Sequence, residues 1–420
     1  MSTPTSPRPE AANASGCPFS GRTFNPFVPP HHENMQALFA QARREQPVFF
    51  SEAMGAWVLT RHEDICAALE DTQRFSSNLD SQILESLLPE PRAYLVNAGY
   101  RNLPLIYDDP PAHTRSRQIV ARLFTKENLA ALEPLVRGIT EELVDGFAQD
   151  RQVDLVSRLA YPLPIRVIFE WMGLPSEMKD SFKKWSHDLT MMLALQARTL
   201  ELQNECVRGV TDMQRCVAEL ISERVAHPRE DGLTVLAQAM REGTTLDAAE
   251  LAAMVMLLIS AGHETTASLL GMAVRVLLEQ PERWRQLREE PHTLPRVVEE
   301  VMRYETPTAI LARKTATQVE LGGVTIPAGV RVLIVMLSGN RDEQRFAEPD
   351  SFDPKRPQLG QHLGFGRGIH VCVGAGLARL EARVMLEVLT RRLPGLRLVE
   401  PPRLVPGSVR HHEQLLLAWD

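Results

Sequence analysis

The sequence has little lysine, 6 of its 46 basic residues, and little cysteine, 5 in 420 residues. The cysteines (Cys17, Cys66, Cys206, Cys216, Cys372) are odd in number, scattered and without a C-x-x-C pair. That argues against a disulfide framework or a zinc site and for a reducing, cytoplasmic setting. Positive charge is not in excess: the net charge is −7, so nothing favours nucleic acid or an anionic membrane as a partner. Uninterrupted apolar runs are short, the longest being Leu251–Ile259, well under the ~20 residues of a membrane span. The first thirty residues are rich in Ser, Pro and Ala and lack the basic start and apolar core of a secretory signal, so neither signal nor anchor is expected.

The composition, 44% hydrophobic and 24% charged, is that of an ordinary globular protein. Length alone suggests two or three domains, but the pattern along the chain reads as one domain over 31–420 behind a flexible lead-in, 1–30, ending in Pro29-Pro30. Ala56–Thr60 reads as a strand, and helical periodicity dominates to about Tyr304. The stretch Leu246–Glu279 is the longest helix, with Asp247 able to cap it and Pro281 behind it. Its first half is apolar almost all round, which places it through the middle of the molecule. After Pro307, Val319–Val324 and Val330–Leu337 are β-like around the turn Ile326-Pro327-Ala328-Gly329. Ser338–Ile369 is irregular and leads into a helix over Cys372–Arg392; so long a loop inside a compact domain is usually functional. The fold class is mainly α with small β-sheets.

Three constellations carry chemistry. In Phe365-Gly366-Arg367-Gly368-Ile369-His370-Val371-Cys372-Val373-Gly374, the glycines let main chain approach a flat ligand. Cys372, at a helix start, gains thiolate character from free N–H groups and the dipole. One such thiolate suits an axial position on haem iron better than zinc or an iron–sulfur cluster. The bland alternatives are a phosphate-binding loop or a core cysteine beside glycines. Within the central helix, Ala261-Gly262-His263-Glu264-Thr265-Thr266 sets a glycine, an acid and hydroxyls among apolar residues, at a cost in propensity and in polar groups to satisfy. A packing glycine and a threonine bonded back to the i−4 carbonyl would explain these residues structurally, and that hydroxyl would also open the ladder to ligand or water. Finally, His113 and Arg117 share a helix face behind Asp109-Pro110-Pro111 and could clamp a carboxylate, or could be an exposed basic helix start. Glu300 and Arg303 form an i, i+3 pair which, if solvated, is worth only ~0–1 kcal/mol.

In this order and spacing the segments resemble the cytochrome P-450 family, whose haem signature F-G-x-G-x-[HR]-x-C-x-G is matched at every position from Phe365 to Gly374. The resemblance covers the chain from about Asn25. It implies haem b with Cys372 as the axial iron ligand, Phe365 packed near the sulfur, and Gly366 and Gly374 in the haem loop. It implies that His113, Arg117, Arg313 and His370 meet the propionates. Glu300 and Arg303 match the family's E-x-x-R, buried and completed by Arg356. By the same match Ala261 and Gly262 leave room for O2, Thr265 hydrogen-bonds the activated oxygen, and Glu264 relays protons, with His263 turned away or, as the lesser alternative, a distal ligand. Matching by order places Leu257, Leu258, Thr308, Ala309 and Ile310 along the substrate pocket. Segments around Leu79–Leu105, Leu189–Leu195 and Arg410–His412 would border it, with Arg410 or the flanking histidines free to anchor a polar group.

The implied activity is a monooxygenase acting on a moderately hydrophobic small molecule. Electrons would come from NAD(P)H through a separate ferredoxin and ferredoxin reductase, docked on Arg115, Arg122, Lys126, Arg367 and Arg379; a monomer is expected. The competing readings are a peroxide-driven peroxygenase, disfavoured by the Glu264–Thr265 pair, a non-catalytic haem sensor, and a nucleotide binder that would lack the P-loop lysine.

Overall fold

The computed structural model describes residues 20–28, 31, 35–100, 103–193, 197, 199–242 and 247–420. Most of the expected lead-in lies outside these residues. What is described of it is part of the fold: Gly21–Thr23 form a turn, and Phe24 is fully buried against Phe39 and Phe49.

The architecture is mainly helical, with four small sheets among the described residues. The largest sheet runs in the order Val48–Ser51, Ala56–Leu59, Arg331–Val335, Ile310–Thr315, Phe75–Ser76, so segments from both ends of the chain share it. Ala56–Leu59 pairs in parallel with Arg331–Val335, and its other neighbour is antiparallel. The β-like stretch beginning at Val319 is a hairpin rather than one strand. Val319–Leu321 pairs with Val324–Ile326 because Gly322 and Gly323 take φ values of +57° and +77°, which reverse the chain between them.

The central helix spans Ala248–Leu278. Asp247 caps it as expected, with a reciprocal capping box: its carboxylate accepts from Glu250 N–H at 2.8 Å, and Glu250 accepts from Asp247 N–H at 3.0 Å. By length and composition this helix could cross a membrane, because over an 18-residue window its apolar content outweighs its few breaks; 67% of that window is buried inside the protein. It packs on Leu200–Ala226, Pro162–Met172, Ala375–Arg392 and Leu294–Glu305. Leu251–Ile259 belong to one apolar cluster and Leu269–Leu278 to another. The polar segment 261–266 lies where the two clusters meet, so acid and hydroxyl interrupt neither core.

The final long helix starts at Ala375, not Cys372. Cys372 belongs to the preceding loop, where its N–H donates to Phe365 O at 2.8 Å.

Candidate active site: a slot between the central helix and the Cys372 loop

The central helix is buried on nearly every side, yet Ala261 is exposed, and Leu258, Gly262 and Thr265 keep partial exposure. These residues, at i, i+3, i+4 and i+7, form one stripe along the helix. Its buried neighbours on the helix are Leu257 and Ile259 with Ser260, His263 and Thr266, so the stripe is the accessible strip of an otherwise buried helix, read here as an interior slot. Cys372 is likewise open to solvent-sized space although protein surrounds it at depth.

The Cys372 loop is shaped by two positive-φ glycines, Gly366 and Gly368, both at +72°. Gly368 is doubly constrained: a Cβ there would lie 2.5 Å from the Leu69 carbonyl oxygen. Burial pushes the Cys372 thiol pKa up. The N–H groups of Gly374 and Ala375 and the charges of Arg117 and Arg379 oppose that without reversing it. The N–H groups favour the thiolate as expected, but desolvation outweighs them in the protein by itself, and a cation at the sulfur would tip the balance.

Around the slot's edge the expected cationic groups converge. The His113 and His370 rings lie 4.2 Å apart, and Arg313 lies close enough to depress both histidines after burial has done so, His370 to about 3. Arg117 acts on His113 and on Cys372. Burial pushes Arg313 itself down to about 10. His370 Nε2 meets Ser77 Oγ at 2.9 Å, while buried His113 Nε2 has no partner among the described residues. Four nitrogen-bearing groups crowded together at this edge are the donor set for the carboxylates of a flat, dianionic ligand. With a single soft sulfur ligand in a glycine loop beside them, the residues fit haem.

Glu300, Arg303 and Arg356 come together as expected. Arg303 Nε and Nη2 each donate to the Glu300 carboxylate at 2.8 Å, both side chains at 0% exposure, and Arg356 Nε lies 3.5 Å from Glu300 Oε1. Arg303 also donates to the carbonyls of Asn340, Pro349 and Ser351, which pins the irregular passage ahead of the cysteine.

Several expectations change. Gly262 serves helix packing: a Cβ there would meet Ile168 Cδ1 at 2.7 Å, so Ala261 rather than Gly262 accounts for the room in the slot. His263, in contrast, is turned away as expected, and the lesser alternative of a distal ligand falls. Its Nδ1 is 3.1 Å from the Ile259 carbonyl and its Nε2 is 3.0 Å from Tyr161 OH. Thr265 Oγ1 donates to the Ala261 carbonyl at 2.7 Å. Glu264 turns to the Lys179–Leu193 helix, where Thr190 Oγ1 donates to it at 3.3 Å, and burial raises its pKa. Ala309 and Ile310 are buried in the sheet core with Phe24 and Phe39, and Leu257 is buried as well; Leu258 and Thr308 retain accessible surface. Arg410 is bonded to Glu305 rather than free for a substrate. Of the pocket borders, residues 101–102 and 194–196 lie outside the described residues. In the expected docking patch Arg115, Arg122, Arg367 and Arg379 are each paired with a glutamate.

One feature of the loop's support carried no sequence signal of its own. Glu299, on the other side of its helix from the Glu300 ion pair, accepts from Arg379 at 2.6 and 2.9 Å and faces His362 Nε2 at 2.9 Å. Arg379 stacks on the Phe365 ring at 4.3 Å, so the loop is held by a carboxylate 63 and 80 residues away from its partners.

Slot, sulfur and nitrogen-rich rim together define a haem-thiolate protein. The cytochrome P450 family model matches residues 28–394. The chain is 38% identical to cytochrome P450 107B1 of Saccharopolyspora erythraea, covering 87% of this chain and 89% of that one. It is 36% identical to the mycinamicin IV hydroxylase/epoxidase of Micromonospora griseorubida, over 90% and 92%. Among solved structures, cytochrome P450 CREJ in complex with (4-ethylphenyl) dihydrogen phosphate superposes with a TM-score of 0.88 at 31% identity, covering 96% of this chain and all of that one. The chain belongs to the cytochrome P450 family and is a haem b monooxygenase supplied with electrons from NAD(P)H through a redox partner.

Proposed function

We propose that the chain inserts one atom of O2 into a moderately hydrophobic organic substrate, by hydroxylation or epoxidation, with electrons delivered by a ferredoxin and its reductase. The observation that carries this reading is the stripe Leu258, Ala261, Gly262, Thr265, the accessible face of an otherwise buried helix, paired with a loop thiol open to the same kind of interior space. Haem b, held by Cys372 and at its carboxylates by His113, Arg117, Arg313 and His370, would supply oxygen activation and one-electron chemistry.

The chain's own part follows from its donors and acceptors. Ala261 keeps a small side chain at the slot. Thr265 spends its proton on the Ala261 carbonyl, so toward the slot Oγ1 accepts from an O–H and orients it. Thr265 in this rotamer is therefore not the proton source. Glu264 is suited to supply the proton, because its raised pKa keeps the carboxyl protonated nearer neutrality, and Thr190 links it to the helix that carries exposed His187. Arg117, Arg379 and the N–H groups of Gly374 and Ala375 favour negative charge at Cys372 Sγ.

The relative named for mycinamicin oxidation supports a macrolide-like substrate, and macrolides therefore head the compounds to test, before fatty acids, terpenoids and steroids. A cytoplasmic monomer with one haem-thiolate domain over 31–420 belongs to the same reading. For docking, Lys126 is exposed with no ion pair among the described residues, which leaves its charge available to an acidic carrier. The test is a screen for low-to-high-spin Soret shifts, followed by turnover of each hit with heterologous ferredoxin, reductase, NAD(P)H and labelled O2. Label in the product supports the proposal. Turnover with peroxide alone would establish a peroxygenase, and ligand binding without any product would establish a sensor.

A further inference from the structure

Away from the slot, a cavity of about 490 Å³ opens between the first helix (Met35–Glu45), the far end of the central helix and the segment 402–412. Four side-chain atoms on its lining residues are buried without a partner among the described residues: Gln36 Oε1, Arg275 Nε, Arg410 Nε and His412 Nε2. Arg410 and His412 are 6% and 4% exposed. Leaving one such group unsatisfied costs about 1–3 kcal/mol, so four around one cavity call for an occupant.

Their chemistry is mixed. The two arginine nitrogens donate. Gln36 Oε1 accepts, and so does His412 Nε2, because Nδ1 is the nitrogen facing the Arg403 carbonyl, at 3.3 Å. Burial and Arg275 push the His412 pKa down to about 4, which keeps that ring neutral. The charge is lopsided with depth. Arg275, Arg341 and Arg410 line the cavity around one buried carboxylate, Glu305, which bonds Arg275 and Arg410. Two further carboxylates pair with these arginines nearer solvent: Asp350, 77% exposed, with Arg341, and Glu279, 41% exposed, with Arg275.

We infer that this cavity binds a small oxyanion carrying at least one O–H, of the hydrogen phosphate or phosphomonoester type. Its charged oxygens take the Nε–H groups of Arg275 and Arg410, and its O–H groups, the two of dihydrogen phosphate or the alcohol hydroxyls of an ester, satisfy Gln36 Oε1 and His412 Nε2. The site is separate from the slot. His412 rests on the central helix at Gly271, with Cδ2 3.8 Å from where a Cβ would stand, six residues or roughly 9 Å along the axis from Thr265.

Isothermal titration of the haem-loaded, full-length protein at pH 7 tests this, with inorganic phosphate, glycerol 3-phosphate and, at matched ionic strength, sulfate. Both phosphates should bind at least about tenfold more tightly than sulfate, which has no O–H at this pH. Tighter glycerol 3-phosphate points to an ester as the natural ligand, tighter phosphate to the free ion. Gln36→Leu and His412→Phe should each weaken phosphate about tenfold and leave the Soret spectrum unchanged. Equal affinity for phosphate and sulfate, no phosphate binding, or unchanged affinity in Gln36→Leu overturns the inference. Gln36 lies near the start of the first helix and bears no ion pair to lose, so that variant decides the matter even if His412→Phe fails to fold.

Discussion

Replacing Glu300 by Gln removes one negative charge from a site where nothing else can take its place. The carboxylate accepts two bonds from Arg303 and one from Asp353 N–H, and Arg356 lies against it. A glutamine amide keeps one acceptor oxygen and turns an NH2 toward a guanidinium. Arg303, with none of its side chain exposed, is then a buried charge without its counterion, and breaking such a pair costs about 3–5 kcal/mol. Against a total stability of about 5–15 kcal/mol that loss is large, and it falls on the passage that delivers Cys372, because Arg303 also holds the carbonyls of Asn340, Pro349 and Ser351. Glu300→Gln is therefore expected to purify with little haem. The measurements are Soret absorbance per mole of protein and the urea midpoint. The double variant Glu300→Leu/Arg303→Leu should recover only part of the loss: the buried charge is gone, but three carbonyls are left without their donor. Wild-type haem content and an unshifted midpoint in Glu300→Gln, or in Arg303→Ala, would refute the reasoning.

Thr265→Ala removes the acceptor at the slot and is expected to uncouple turnover, so that NAD(P)H is consumed with peroxide released in place of product; unchanged coupling would assign the role to another group. Gly368→Ala combines a φ of +72° with a Cβ 2.5 Å from the Leu69 carbonyl oxygen, and should lower stability by about 1–3 kcal/mol, read as a lower urea midpoint, whereas Gly360→Ala, in open space, should not. Glu299→Gln probes the tie between Arg379 and His362. Although burial alone would raise it, hydrogen bonds from those two residues hold the Glu299 pKa at about 2 instead of 4.5. The depressed value stabilises the fold above pH 4.5 and is lost as pH falls toward 2, by at most about 3 kcal/mol and less with Arg379 partly solvated. The stability gap between wild type and Glu299→Gln should be constant above pH 6 and shrink in acid; a gap that widened in acid would contradict the assignment.

Much of this was legible in the sequence because it is written locally. The cap at Asp247, the apolar length of the central helix and the ordered Phe, Gly, Gly, His, Cys and Gly of the haem loop each lie within one short segment. What escaped is long-range. Glu299 reads as one more surface acid until the fold brings it to His362 and Arg379. Gly262 reads as space for a ligand until Ile168 arrives from another helix. Ala309 and Ile310 occupy the expected stretch, but pairing of Ile310 with Val335 and the bond from Leu337 N–H to the Ala309 carbonyl set them in the sheet core. Arg410 and His412 read as anchors for a substrate until the fold brings Glu305 to the first and the Arg403 carbonyl to the second.

The central helix contributes to two apolar clusters, one on each side of its polar break, and Phe124 and Trp171 pack against both. One contains the side chains that border the substrate face, the other those behind the sulfur-bearing loop. Loosening the first to admit a bulky guest would therefore be felt behind the loop through those two shared rings.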